Sequence, residues 1–298
     1  MSAASRFTIE ECRRFYAEEV RALAALESPA LIRAFAQVPR ERFLGPAPWF
    51  VAPGFSLGPT RYRSTQDARD LYHDLLVALH PAQFLNNGQP SMVARLIAAL
   101  DLRAGGRVLH VGCGAGYFTA ILAETVGEQG AVLALEIESD LAAKAAANLR
   151  AYPQVTVLNR DAAHFDPGDC DAILVNASVT HPYPAWLNRL SEGGVLVLPL
   201  AVARSTAAND ALAMRIERQD GSFAAEAVSI LTLYPCAGLR DAGEQLLLNP
   251  AFENHDLLRV RSLRVDPHPR TETCVVHAPS YCLSALDSST AFSPQSGA

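Results

Sequence analysis

Three glycines, Gly112, Gly114 and Gly116, lie between the apolar run "RVLHV" and the helical run "YFTAILAETV". A glycine turn there lets a ligand approach the backbone and the positive end of the following helix. Glu136 closes a second apolar run, "AVLALE", twenty residues after Gly116. A carboxylate in that place can accept hydrogen bonds from both hydroxyls of a ribose. Asp161 follows "VTVLN", where the amino group of an adenine would find an acceptor, and Asn176 ends "DAILVN". Open α/β sheets bind ligands at the carboxyl ends of their strands, so four such ends carrying polar groups point to one site. Acid–base candidates are His181 in "SVTHPYP" and His73 with Asp70 in "DARDLYHDLL". His73 and His80 also suit plain helix-end positions. A last group is the polar turn Asn86, Asn87, Gly88, Gln89, followed by Ser91. It contributes nothing to a core and reads as the lip of a site.

The glycine spacing separates the possible cofactors. A dinucleotide loop has the form G-x-G-x-x-G, which would place the third glycine at Tyr117. Here it comes one residue early, giving the G-x-G-x-G of S-adenosylmethionine (SAM) sites, where no pyrophosphate has to be cradled. No Lys-Ser or Lys-Thr follows, which removes an ATP P-loop. The cofactor expected is SAM, held by His110, Gly112, Gly114, Gly116, Tyr117, Glu136, Asp161 and Asn176. Cys113, inside the loop, reads as a packing residue.

The elements that would position these groups are legible as patterns. "RVLHVG", "AVLALE", "VTVLN", "DAILVN" and "GVLVLPL" are short apolar strands alternating with helical runs, the signature of a parallel sheet covered on both faces. Strand-rich sequence follows residue 205, in "ALAMRIERQDG", "AVSILTLYP", "LLRVRSLRV" and "TCVVHA". Ahead of the sheet, Thr8 with Glu11 opens one helix as a capping box, and Ser28-Pro29 opens a second. Residues 45–63 read as a long irregular segment with exposed aromatics Trp49, Phe50, Phe55 and Tyr62, able to close with residues 84–91 over an acceptor. A third helix is expected from Asp67 to Leu79, and a fourth opens at Pro90 with Met92, Val93, Leu96, Ile97 and Leu100 on one face. The ending "DSSTAFSPQSGA" reads as a disordered tail. The fold class expected is α/β: a doubly wound, mostly parallel seven-stranded sheet with an N-terminal helical cover (1–105), a cofactor-binding domain (106–240) and a C-terminal β-rich extension (241–298).

Bulk properties set the remaining limits. The 298 residues carry a net charge of -6 and contain no basic run, which disfavours nucleic acid and anionic membrane as partners. None of the six cysteines forms a CxxC pair, so no metal site is expected. No signal-like start and no membrane-length apolar run is present, and a cytoplasmic location is expected.

These stretches together resemble the protein-L-isoaspartate O-methyltransferase family. "VPRERF" after two helices, "QPSMVARLIAALDLRAGGRVLHVGCGAGYFTAILAETVG", "EGGVLVLPL" and "LYPCAGL" carry the likeness, over about residues 10–45 and 85–240. The resemblance implies a class I, Rossmann-like methyltransferase sheet, with the SAM roles falling on Gly112, Gly114, Gly116, Glu136 and Asp161. Two departures stand out. His110 occupies a place where the family usually has an acidic residue. Asn86 and Gly88 stand where it has Thr-x-Ser, so the hydroxyl that faces the isoaspartyl carboxylate is missing. The leading expectation is therefore a SAM-dependent O-methyltransferase with a changed acceptor, a carboxylate or hydroxyl of a small molecule or modified peptide. Its lip comprises Asn86, Asn87, Gly88, Tyr62 and His73, and Gln89, Ser91 and His181 act at the reacting centre. Genuine isoaspartyl repair, with Gln89 or Ser91 replacing the serine, is the alternative. A SAM-binding protein without catalysis is a third.

Overall fold

A computed structural model describes residues 7–54, 60–80, 85–202 and 209–291. Phe55 and the tail beyond residue 291 lie outside the described residues. In chain order the elements are α1 (Ile9–Ala24), α2 (Pro29–Gln37), β1 (Trp49–Pro53), β2 (Arg63–Thr65), β3 (Leu75–His80), β4 (Leu85–Asn86), α3 (Pro90–Ala98), β5 (Arg107–Val111), α4 (Tyr117–Val126), β6 (Ala131–Glu136), α5 (Ser139–Asn148) and β7 (Val155–Asn159). There follow β8 (Cys170–Val175), α6 (Pro184–Arg189), β9 (Leu190–Ala201), β10 (Asn209–Gln219), β11 (Ser222–Leu233), α7 (Ala242–Glu253), β12 (Ser262–Arg264), β13 (Cys274–His277), β14 (Cys282–Ser284) and α8 (Ser288–Ala291). The chain forms two compact units: residues 1–98, 102–105 and 113–159 make the first, and 99–101, 106–112 and 160–298 the second.

In the first unit, α1 starts where the capping box places it. Thr8 Oγ1 accepts from Glu11 N at 3.2 Å, and Glu11 Oε2 accepts from Thr8 N at 2.7 Å. Ser28 Oγ caps α2, and Val93, Leu96 and Ile97 bury the expected face of α3 while Met92 is half-buried. Two expectations fail between them. Residues 45–63 are not irregular throughout: Trp49–Pro53 form β1 and Arg63 opens β2 of a four-stranded antiparallel sheet ordered β2-β1-β3-β4. Nor is 67–79 a helix. Asp67 caps a single 3-10 turn, Ala68–Leu71, and the chain then enters β3. The reason is Arg40. Its fully buried guanidinium takes hydrogen bonds to the carbonyls of Leu71, His73 and Leu75, at 2.7, 3.1 and 2.7 Å. Those are the acceptors that a helix through Leu79 would need for its own backbone. Val51, Leu71 and Val77 then form a small core under Trp49 and Leu75. The same unit holds α4, α5 and the parallel pair β6·β7.

In the second unit β5, β8 and β9 run parallel in that order. The apolar strands are buried along most of their length, as a doubly covered sheet requires. Beyond β9 the order continues β10-β11-β12-β14-β13, all antiparallel. The strands expected of an α/β methyltransferase sheet are thus β6 and β7 in the first unit and β5, β8, β9, β10 and β11 in the second, and the extension adds β12, β13 and β14. "LLRVRSLRV" gives only the three-residue β12, because His255 turns left-handed at φ 60° and starts a 3-10 turn at Asp256–Arg259. Helices α6 and α7 carry no signal that the patterns above had used. The expected tail begins with the short helix α8.

Candidate active site

The glycine loop belongs mainly to the first unit and is stitched to the end of β6. Cys113 N donates to Leu135 O at 3.1 Å, and Gly114 N donates to Glu136 Oε2 at 2.7 Å. The other oxygen of Glu136 accepts from Glu138 N at 3.1 Å. Burial raises the Glu136 carboxyl above its usual range while these amides oppose the shift. Gly116 is left-handed at φ +94°, and a Cβ there would lie 2.8 Å from Leu149 at the end of α5. Only glycine fits, which lets α4 start directly under the loop. Burial pushes the Cys113 thiol up, which agrees with a packing role.

Tyr117 is placed otherwise than expected. Its side chain is 3% exposed, packs edge-on against Phe35 and Phe43, and meets Tyr16 hydroxyl to hydroxyl at 3.1 Å. It belongs to the core of the helical cover, with Arg40 over its ring. This is what an aromatic at the first position of a helix under two covering helices would do, so its side chain turns away from a cofactor role.

The lip lies in the same unit as the loop. Gly88 sits at φ +77°, and a Cβ there would meet Val93 at 3.0 Å and Phe118 of α4 at 3.7 Å. Asn86 Oδ1 accepts from Gly88 N at 2.9 Å and closes the turn, and Tyr62 bonds to the Asn86 side chain. Asn87 is a strut: its Oδ1 accepts from Val77 N at 3.0 Å and from Arg40 Nη2 at 3.3 Å. Gln89 and Ser91 both converge on Asp74. Its carboxylate accepts from Gln89 Nε2 at 2.6 Å, Ser91 Oγ at 2.6 Å and Ser91 N at 2.7 Å. Asp74 therefore caps α3 from outside. The two groups expected as donors at the reacting centre are committed to it. His73 is exposed, and Asp70 is bound by Thr65 and Arg63, which hold its carboxyl below the usual range. His80 pairs with Asp140 at 2.9 Å.

The second unit carries the remaining candidates. His110 is fully buried on β5, and burial pushes its imidazole down to about 3, so it is neutral and sealed from solvent. Gly112, at φ +75°, packs its Cα side against the Asn176 carbonyl, and Asn176 N donates to Val111 O at 2.8 Å. The Oδ1 of Asn176 is buried without a hydrogen-bond partner among the described residues. An orphan acceptor at the carboxyl end of a parallel strand fits a ligand donor. Asp161 caps the turn Ala162–His164 through Ala163 N at 2.9 Å, and Gly238 packs against its carboxylate. His181 directs Nδ1 to Glu244 of α7 at 2.9 Å and to Thr180 Oγ1 at 3.1 Å. Three of these partners escaped the sequence reading. Asp74, Gly238 and Glu244 lie far in sequence from what they hold.

The family model described as protein-L-isoaspartate(D-aspartate) O-methyltransferase matches residues 16–236, across cover, lip and loop. The protein-L-isoaspartate O-methyltransferase 1 of Archaeoglobus fulgidus is 34% identical over 195 residues, covering 64% of this chain and 80% of its own length. That of Ignicoccus hospitalis is 40% identical over 115 residues, covering 37% of this chain and 54% of the relative. A solved structure from Plasmodium falciparum, described as a putative protein-L-isoaspartate O-methyltransferase in complex with S-adenosyl-L-homocysteine, superposes at TM-score 0.58. It is 17% identical and covers 76% of this chain and 98% of that one, a likeness of fold. No helix among the described residues is long and apolar enough to cross a membrane. The glycine loop tied to Glu136, the orphan Asn176 and a match across three quarters of the sequence place this chain in the protein-L-isoaspartate O-methyltransferase family, as a SAM-dependent methyltransferase of that type.

Proposed function

We propose that this chain methylates the free α-carboxylate that an isoaspartyl residue exposes where the peptide chain runs through its side-chain carbonyl, in a peptide or protein. The observation that carries the reading is the family match over residues 16–236, a range that includes the lip as well as the cofactor loop. The relatives at 34–40% identity bear the same name, which favours isoaspartyl repair over the changed acceptor that Gly88 had suggested. SAM supplies an electrophilic methyl group. An acceptor carboxylate oxygen would form the new C–O bond as the carbon–sulfur bond breaks, the electron pair passing to sulfur. An ionised carboxylate needs no base, and the lip carboxylate Asp74 is already taken by three hydrogen bonds. The chain's task is alignment and exclusion of water. The test is methyl incorporation into a peptide containing isoaspartate, beside the same peptide with ordinary aspartate. Transfer to the first alone is expected, and silence toward it by protein that binds S-adenosylhomocysteine would overturn the reading.

One observation favours a second reading. His181, oriented through Nδ1 by Glu244, has the arrangement of a general base and would suit a hydroxyl acceptor. Under the first reading His181→Gln leaves the rate within a few-fold, and under the second it removes about two orders of magnitude or more.

A further inference from the structure

Outside the methyltransferase site, four side chains converge in the C-terminal extension. His268, Cys274, His277 and Cys282 place one ligand-type atom each within 4.8 Å of one another. They come from the loop before β13, from both ends of β13 and from β14. The spacing is H-x5-C-x2-H-x4-C, which holds no CxxC pair and so escaped the sequence reading. We propose that these residues form a zinc site of the Cys2His2 type, with a structural role.

The surroundings of the donors are those of a ligand set. His268 Nδ1 lies 2.8 Å from the carbonyl of Asp266, which can only accept, so Nδ1 holds the proton and Nε2 presents its lone pair. That Nε2 lies 3.7 Å from Cys274 Sγ. Cys274 Sγ accepts from Thr271 N at 3.3 Å, a backbone bond that supports a thiolate. His277 crosses His268 edge-on at 4.9 Å between ring centres, and its Nδ1 is buried without a hydrogen-bond partner among the described residues. The chemistry selects the ion. Two thiolates and two imidazoles suit zinc in tetrahedral geometry, and their two negative charges neutralise it. Binding replaces two thiol protons, which pass to solvent. All four positions come from protein, so no position stays open for a substrate.

The site has a structural consequence inside the second unit. His277 and Cys282 face each other across the β13–β14 hairpin, and their pairing closes its turn. That turn carries Ser280, whose hydroxyl donates to Glu244, and Tyr281, whose hydroxyl donates to Thr180 O at 3.3 Å. Glu244 in turn orients His181. A metal holding the hairpin would fix the brace behind the His181 loop.

The full-length protein, purified without chelator under reducing conditions, is expected to contain one equivalent of zinc by elemental mass spectrometry. Metal-free protein refilled with cobalt(II) should show the visible bands of a tetrahedral thiolate site. The double variant Cys274→Ser/Cys282→Ser should lose the metal, and Cys12→Ser should keep it. Stripping the metal from the wild type should lower its melting temperature by about 5 °C or more. The proposal is overturned by wild-type protein that takes up neither zinc nor cobalt, by metal retained in the double variant, or by a Cys274–Cys282 disulfide in non-reduced peptide maps. The wild-type measurement decides even where the double variant fails to fold.

Discussion

At the residue scale, two side chains do opposite things with burial. Glu136 keeps its carboxylate in the interior because Gly114 N and Glu138 N supply hydrogen bonds, and that same carboxylate holds the loop in shape. Glu136→Gln keeps an acceptor for one amide but would lose the charge-assisted grip proposed for a ribose. S-adenosylhomocysteine affinity should fall by about 1.5–3 kcal/mol, roughly ten- to a hundredfold, in calorimetry. Unchanged affinity would remove Glu136 from the cofactor contacts. His110 is kept neutral by burial. Its folded value near 3 lies below the unfolded value, so between about 6.5 and 3 the unfolded chain binds a proton that the folded chain refuses. The stability it contributes is complete above that window and is lost as pH falls through it, at up to about 1.4 kcal/mol per pH unit. In urea titrations His110→Asn should flatten this part of the stability–pH curve, and an unchanged slope would show that other groups set it. Gly88 is read differently in structure than in sequence. As a bare replacement for serine it invites Gly88→Ser, yet its φ of +77° and Val93 at 3.0 Å make any Cβ costly. That variant should lose about 1–3 kcal/mol of stability by thermal unfolding, whatever the change does to the acceptor.

At the scale of elements, the lip is a turn locked from below. Arg40 fixes the carbonyls of Leu71, His73 and Leu75, and Asp74 is thereby delivered to the open end of α3. Asp74→Ala removes a helix cap and two side-chain anchors together. A loss of about 2 kcal/mol is expected, with faster amide exchange confined to residues 85–93. Uniform exchange in that segment would make Asp74 a bystander. This is also where sequence reading failed for a definite reason. α1 and α2 were legible because their caps and apolar spacing are local, and α3 because of the spacing of its apolar face. The 67–79 segment has helical spacing too, but a buried guanidinium from residue 40 takes its carbonyls, and no window around residue 70 contains Arg40. Local pattern lost to a tertiary contact. Gln89 and Ser91 were expected at the reacting centre, but their direction depends on Asp74 fifteen and seventeen residues away.

At the scale of the whole molecule, legibility follows contact range. The parallel strands announced themselves as apolar runs with polar ends, and Glu136, Asp161 and Asn176, the residues proposed for the cofactor, lie at or just past those ends. The extension was visible only as strand-rich sequence, because its meaning lies in pairings with distant residues. Glu244 holds His181, Tyr281 reaches Thr180, and Arg261 N bonds to Ser284 O. The family match stops at residue 236, which invites the view that everything beyond is an appendage that could be removed. The second unit argues the contrary. Leu248, Leu257, Val260, Leu263 and Leu283 are each 2% exposed or less, and β12 pairs directly with β11 at Phe223 and Ala224. Burying five aliphatic side chains of this size contributes on the order of 10 kcal/mol before entropy is counted, as large as the net stability of a typical domain. Truncation after Arg240 should therefore give insoluble or protease-sensitive protein instead of a minimal methyltransferase. Truncation after Ala291 should leave the melting temperature within about 2 °C. Expression of both forms, followed by limited proteolysis and thermal melts, decides the matter. A soluble, cooperatively melting 1–240 fragment would show that the conserved-length core stands alone and that the extension is docked upon it.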